Sequence, residues 1–536
     1  IDGSLRTNNT YSVQFQVKGS NVNGITAQGG TIDASCFSMA LRGTQCKGIY
    51  AAMQNSVATG YDVSVSEADI TVGDSDTNTG NFGIQMNNGY IQCDNLTLNV
   101  LGTDSAGILA QVENATPDRA NVVLKGTYRG VIRQSGTELS SAAVMLEGGH
   151  IDLQTSAPTQ TGEYNITSNG LGIVVANGNI SQSSGGLSVN TTRGTAIYLR
   201  GGSLTQASGA TLSVTSAIAE GTTWAQGDTS GDGSANIYNG VYVRGGSLTC
   251  NGTLNVTHTG VENDLTYSTG SWLGWAYYDY QNQVIKSYAV RVEGTANTSV
   301  TINQGKITNL IGGGLYVTGA MGQQNVNIAT LSFNDIQKEQ STVVDLANVT
   351  IQTSGVGDRE QRNIQSNWDY YLSRNGGHAV EIDGGVLRVS NGVYTAQQGD
   401  GIRIQGGIAF IEGGCFVGQD NGAFLPGAGA SYAFKVYGGH ARVNGGIFGR
   451  ESATSTNYQG NGAFIMQGNA YITRANIRAG GTTGFGVWTG ATVTFSPADS
   501  ATDTIYVYGA STGMTLENGN SYPELEVTIN GGTFTA

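Results

Sequence analysis

One recurring phrase constrains this chain more than any other feature. It consists of a small residue, an apolar-x-apolar alternation, a Gly-Gly or Asn-Gly pair, and a further apolar residue. It reads Ala196-Ile-Tyr-Leu-Arg-Gly-Gly-Ser-Leu204 and again Gly240-Val-Tyr-Val-Arg-Gly-Gly-Ser-Leu248. Later copies are Ala379-Val-Glu-Ile-Asp-Gly-Gly-Val-Leu387, Gly401-Ile-Arg-Ile-Gln-Gly-Gly-Ile-Ala409 and Ala433-Phe-Lys-Val-Tyr-Gly-Gly-His-Ala441. Anchored on the small residue, sixteen copies begin at 24, 48, 83, 107, 143, 172, 196, 240, 289, 314, 379, 401, 433, 463, 486 and 513. Most follow one another by 22 to 36 residues, with longer intervals after 196, 240 and 314.

Alternation of period two marks a short strand with one buried face. The glycine pair supplies positive φ at a sharp corner. A second alternation follows the corner, as in Thr211-Leu-Ser-Val214, so each copy predicts two or three short strands. A single copy cannot bury its own apolar edge, so successive copies must stack. At the interstrand spacing of a sheet, sixteen rungs would extend on the order of 75 Å. The expected architecture is all-β, one solenoid domain over residues 1–536, with loop insertions near 215–238, 257–287 and 330–376.

Composition agrees. The 536 residues include 82 Gly and 5 Pro, and 12% are charged, about half the usual share. The net charge is −14 and no basic run occurs, so nucleic acid is not an expected partner. No apolar stretch reaches the roughly 18 residues of a membrane-spanning helix. A start at Ile1 and an end inside the repeat pattern suggest a processed or trimmed piece of a longer chain. Cys36 and Cys46 lie close enough in sequence to close a loop in an oxidising compartment. Cys93 and Cys250 share one position of the repeat and read as small buried filler.

The Gly-Gly rungs resemble those of the right-handed parallel β-helix, the pectin-lyase-like architecture. Its members include polysaccharide lyases, polygalacturonase-like hydrolases, phage tailspikes and bacterial surface adhesins. The wording Thr528-Ile-Asn-Gly-Gly-Thr-Phe534 is most similar to Gly-rich repeats of bacterial cell-surface proteins. The resemblance implies a secreted or surface location and a glycan-binding face on one sheet. It covers nearly the whole chain and speaks for fold far more than for activity.

Stacking turns equivalent positions into columns. The first outward position of the middle rungs reads Tyr198, Tyr242, Arg291, Tyr316, Glu381, Arg403 and Lys435. The second reads Arg200, Arg244, Glu293, Thr318, Asp383, Gln405 and Tyr437. Both columns are expected to be exposed. The insertions carry four of the five tryptophans: Trp224, Trp272, Trp275 and Trp368. Flat rings beside polar groups suit the apolar faces of sugars, and equally suit packing or protein interfaces. The candidate ligand-binding residues are therefore Trp224, Tyr242, Arg244, Trp272, Trp275, Tyr316 and Trp368.

Glu381 and Asp383 stand two residues apart on one strand, with Cα atoms about 6.6 Å apart. Paired carboxylates can divide into acid and base roles, so Glu381, Asp383, Asp400 and Arg403 form the candidate catalytic set. Asn375-Gly-Gly-His378 and Arg403-Ile-Gln405 echo motifs of polygalacturonase-like hydrolases, although the paired aspartates of that family are missing and Gln405 stands where it has lysine. Asp74, Asp76 and Asn78, and separately Asp228 and Asp232, place oxygens at alternating positions that would suit Ca2+. The same composition also makes ordinary turns. Three functions remain open: a surface protein binding a polysaccharide or host glycan, a polysaccharide lyase or glycoside hydrolase, and a structural stalk or filament subunit associating through its end rungs.

Overall fold

The computed structural model describes residues 5–6, 13–53, 60–112, 120–126, 130–135, 140–154, 163–218, 239–260, 269–272, 275–278, 288–310, 312–322, 326–354, 377–397, 399–419, 431–450, 452, 454, 460–480, 483–498, 504–517 and 525–536. These residues are overwhelmingly β-strand, paired largely in parallel, with an antiparallel pair at Thr269–Trp272 and Trp275–Tyr278. Two compact units are present: residues 1–219 with 240–255, and residues 220–239 with 256–536. No helix among the described residues is long and apolar enough to cross a membrane.

In the first unit the repeat phrase becomes a column of strands, Phe82–Asn88, Ala106–Gln111, Ala142–Gly148, Leu171–Val175, Ile197–Leu199 and Val241–Val243. Each pairs in register with the next copy, so Ile84, Ile108, Val144, Ile173, Ile197 and Val241 lie one above another. All six are buried. A second column after the glycine corner aligns Val63, Ile91, Val122, Ile151, Ile180, Leu204 and Leu248. A third aligns Leu98, Ile132, Ile166, Val189 and Val214. Each such side chain, fully buried, contributes about 1.5–3 kcal/mol relative to exposure.

The second unit repeats the plan with larger side chains. Val290, Leu315, Val380, Ile402, Phe434, Ala463 and Phe485 form one inward column. Tyr394, Phe416 and Phe448 stack at 4.8 and 5.0 Å with interplanar angles of 12°. That separation is the interstrand spacing itself, which in-register parallel pairing imposes on equivalent side chains.

Buried polar residues stitch the corners. Asn81 accepts the Cys46 N–H at 3.0 Å and donates to the carbonyls of Gly43 (3.0 Å) and Leu101 (2.9 Å). Its own N–H goes to Ser105 Oγ at 3.0 Å. Backbone groups that would be orphaned where strands end are satisfied in this way.

Three expectations are corrected. Cys46 keeps its thiol hydrogen, donated to Gly19 O (3.3 Å) and Thr44 O (3.4 Å), and no disulfide joins any of the five cysteines. The interval 330–376 is not a continuous loop, because it contains the strand Thr342–Thr353, paired to the copies before and after it. Just ahead of that strand, the turns Phe333–Asp335 and Lys338–Gln340 bring Ile328, Phe333 and Ile336 onto Val343, Val386, Ile408 and Phe410. Arg442 fastens this segment by donating to Ala329 O (2.9 Å) and Leu331 O (2.8 Å). Likewise, Thr211–Ile218 and Ser247–Gly260 carry strand into the edges of the other two intervals. Cys93 and Cys250 are filler as expected, with burial pushing both thiols up to about 12.

Two glycines separate the conformational and steric roles of the corner. Gly209 has φ of 81° with open space where a Cβ would stand, whereas at Gly246 (φ 75°) a Cβ would sit 1.9 Å from Gly202 O. Gly209→Ala should therefore carry only the left-handed penalty of about 1–2 kcal/mol. Gly246→Ala must also displace backbone, and its urea midpoint should fall clearly further.

Candidate functional site

In the second unit, Tyr288–Gly294, Gly313–Gly319, Val380–Ala396, Ile402–Ile411 and Tyr432–Val436 run side by side. Their register places Arg291, Tyr316, Glu381, Arg403 and Lys435 in one column, as the repeat implies. The column is not the exposed face expected from alternation. Arg291 is 5%, Glu381 3%, Arg403 5% and Lys435 6% exposed. Ionisable side chains are seldom this buried unless paired, so the column is a polar network rather than a solvated surface. The second position is only partly open: Asp383 is exposed, whereas Glu293, Gln405 and Tyr437 are half-buried.

Glu381 is held from two sides. Its Oε2 accepts the Tyr288 hydroxyl at 3.0 Å, and its Oε1 accepts Gln405 Nε2. Burial raises its carboxyl above the ordinary range, opposed by Arg403 and by those two hydrogen bonds. Tyr288 stacks on the half-buried Tyr316 at 4.8 Å, with the Arg291 guanidinium 5.3 Å from the Tyr316 ring centre. Arg291 also pairs with Glu293. Tyr316 donates its hydroxyl to Asp383 at 3.5 Å, a long contact.

Asp400 and His378 do different work. Asp400 Oδ1 accepts the Tyr432 N–H at 2.8 Å, and His378 Nδ1 accepts the Asp400 N–H at 2.8 Å. Both are corner clamps of the kind Asn81 makes. Arg403 Nη1 lies 2.9 Å from His378 Nε2. Burial, then Arg403 and Lys435, hold His378 well below its usual range, so it stays neutral. Tyr437, the last residue of the second outward column, completes this end: it lies under Arg403 (4.4 Å) and beside Lys435 (4.8 Å). Tyr432, Phe464 and Trp488, all half-buried, form a further aromatic run at 5.0 and 6.2 Å. Their signal was an aromatic at an outward position in rungs without insertions.

The remaining candidates separate. Tyr242, in the first unit, is 1% exposed and stacks on Tyr198 at 5.0 Å with parallel rings, so it offers no free face to a ligand. Arg244 follows it, half-buried. Trp272 and Trp275 lie directly opposite each other in the antiparallel hairpin Thr269–Trp272 and Trp275–Tyr278. Trp224, Trp368, Asp228 and Asp232 lie outside the described residues. In the 74–80 loop, Asn78 Oδ1 accepts the N–H groups of Asp74 (2.8 Å) and Ser75 (3.0 Å), and Asp76 accepts Ser135 Oγ at 2.6 Å. This is turn chemistry. Among the described residues no group of three His, Cys, Asp or Glu side chains is placed to hold a metal.

Compared with protein-family models, curated proteins and solved structures, the chain finds no match. Its functional reading therefore rests on its own residues.

Two pH effects of opposite sign follow. The raised Glu381 carboxyl contributes stability below its unfolded value of 4.5, and that contribution is lost as pH rises through the folded value. Glu381→Gln should thus gain on the wild type as pH increases from there. The depressed His378 contributes stability above its unfolded value of 6.5 and loses it as pH falls. His378→Asn keeps the corner acceptor and should flatten that acid loss. Each slope is at most about 1.4 kcal/mol per pH unit, readable from urea midpoints between pH 4 and 8.

Proposed function

We propose that each unit is a right-handed parallel β-helix, with about sixteen rungs in the chain as a whole. We further propose that the protein works outside the bacterial cell or on its surface, binding a polysaccharide or host glycan without transforming it. The observation that carries this reading is the aromatic hairpin: an isolated antiparallel pair within parallel architecture, with Trp272 opposite Trp275. Tryptophan combines a large apolar face with a polar N–H, which suits the alternating apolar and hydroxylated surface of a sugar ring. A chain that is 12% charged also favours a ligand recognised by stacking and neutral hydrogen bonds.

The arrangement of the acids supports binding over chemistry. Glycosidases hold two carboxyl groups across a common space. Here Glu381 is bonded to Tyr288 and Gln405, Asp383 faces solvent, and Asp400 clamps backbone. A lyase or hydrolase remains the second reading, favoured by one observation: a buried, raised carboxyl beside an arginine is characteristic of functional sites.

A panel of neutral and acidic polysaccharides, assayed by calorimetry and by mass spectrometry of released products, separates the two. Binding without products is expected, and Trp272→Ala with Trp275→Ala should weaken it at least about tenfold, the scale of losing aromatic anchors. Unchanged affinity in that variant would remove the hairpin from the account. Unsaturated or hydrolytic products that disappear in Glu381→Gln would establish the enzyme instead.

A further inference from the structure

Outward rings on adjacent strands mostly stack here, with interplanar angles of 0° for Tyr198 and Tyr242, 22° for Tyr288 and Tyr316, and 26° for Tyr432 and Phe464. A ring stacked in this way has a covered face. Trp488, in the second unit, departs from the pattern: its ring centre lies 6.2 Å from that of Phe464 at an angle of 57°. The sequence accounts for the tilt. Phe464 is in register with Gly486, two residues before Trp488 on the strand Thr483–Trp488. A Cβ at Gly486 would lie 2.6 Å from Phe464 Cδ2, so the Phe464 ring leans into the space a side chain would otherwise fill. It therefore meets Trp488 at an angle. On the other side of Trp488 the paired residue is Glu517, not a ring.

Val487 is buried and paired with Leu516, so Trp488 and Glu517 share the outward face. Their backbones are one strand spacing apart, about 4.8 Å. Trp488 is half-buried and Glu517 exposed. Among the described residues the indole N–H has no hydrogen-bond partner and Glu517 makes no ion pair. Of the aromatic side chains, tryptophan attracts a cation over its face most strongly. A carboxylate one strand away adds a full negative charge to that attraction, and the net charge of −14 acts in the same direction at longer range. An uncharged sugar would gain from the ring alone, and an acidic sugar would be repelled.

We propose that Trp488 and Glu517 form a subsite for an amino sugar, with the apolar face of the sugar ring on the indole and its ammonium group held by the carboxylate. The inference rests on the glycan-binding reading and narrows it to chains that carry free amines. It does not involve the tryptophan hairpin. Gly486 and Phe464 act as positioning residues, because the lean of the phenyl ring sets the angle at which it meets Trp488.

The test uses the full chain with a glucosamine oligomer, its N-acetylated counterpart and dextran as probes, by calorimetry across a salt series. The glucosamine oligomer should bind more tightly than the N-acetylated one, with affinity falling as salt rises. Glu517→Gln, at an exposed position, should lose roughly fivefold for the glucosamine oligomer at low salt, the upper scale of a solvent-facing ion pair. The same variant should leave the N-acetylated oligomer and dextran unchanged. Trp488→Ala should weaken the glucosamine oligomer at least about tenfold, and Trp488→Phe should recover part, since a smaller ring still offers a face. Glu526→Gln, at an exposed carboxylate paired to Thr492 instead, should have no effect. Equal affinity for the two oligomers, an equal loss in Glu526→Gln, or glucosamine binding that survives Glu517→Gln combined with Trp488→Ala would overturn the subsite. If that surviving binding falls in Trp272→Ala with Trp275→Ala, the glycan reading stands and this subsite alone fails. If neither these probes nor the polysaccharide panel binds, both fail together.

Discussion

Parallel pairing in exact register is the constraint on which everything else here depends. Once one copy of the phrase pairs with the next at about 4.8 Å, equivalent residues are forced into columns. Inward positions are then mostly apolar, because each is enclosed by its neighbours in the column. Ile84, Ile108, Val144, Ile173, Ile197 and Val241 satisfy this with β-branched residues. Tyr394, Phe416 and Phe448 satisfy it with stacked rings. The same constraint explains the corner glycines, since at Gly246 the carbonyl of the previous copy occupies the place of a side chain.

Register also limits what an aromatic residue can do. Rings at equivalent positions meet face to face, as Tyr198 and Tyr242 do, and a face covered by another ring is closed to a ligand. Aromatic content in the rungs is thus largely architectural. Outside the parallel ladder the constraint lapses, and the antiparallel hairpin bearing Trp272 and Trp275 lies there, which is the ground for proposing it as a recognition element. Charged columns behave differently. In the second unit, Arg291, Glu381, Arg403 and Lys435 are buried among hydrogen-bonding and aromatic neighbours, although Arg403 and Lys435 are adjacent and alike in sign.

Much of the fold was legible. The small-apolar-x-apolar phrase located the strands, and the glycine pairs marked the corners, because both are local consequences of backbone geometry and period-two burial. Cys93 and Cys250 were correctly read as filler from their shared place in the repeat. The site was legible in its membership and not in its environment. Alternation placed Glu381 and Arg403 on the outward side of their strands, and register confirms that they are neighbours. That the outward side is nevertheless buried depends on what packs there, and no local pattern encodes it. The 330–376 interval failed for a related reason: its strand Thr342–Thr353 lacks the glycine phrase by which the other copies were found.

The amino-acid order by itself determined the period, the class of secondary structure, the positions of the corners and the columns to which each side chain belongs. These follow from the alternation of side chains along a strand and from the freedom of glycine to adopt positive φ. Only the tertiary structure decided which columns are buried, which partners each carboxylate has, and that Asp400 and His378 clamp backbone. Those outcomes depend on residues distant in sequence meeting across strands, where burial and hydrogen bonding are set by the assembled neighbours rather than by the chain's local pattern.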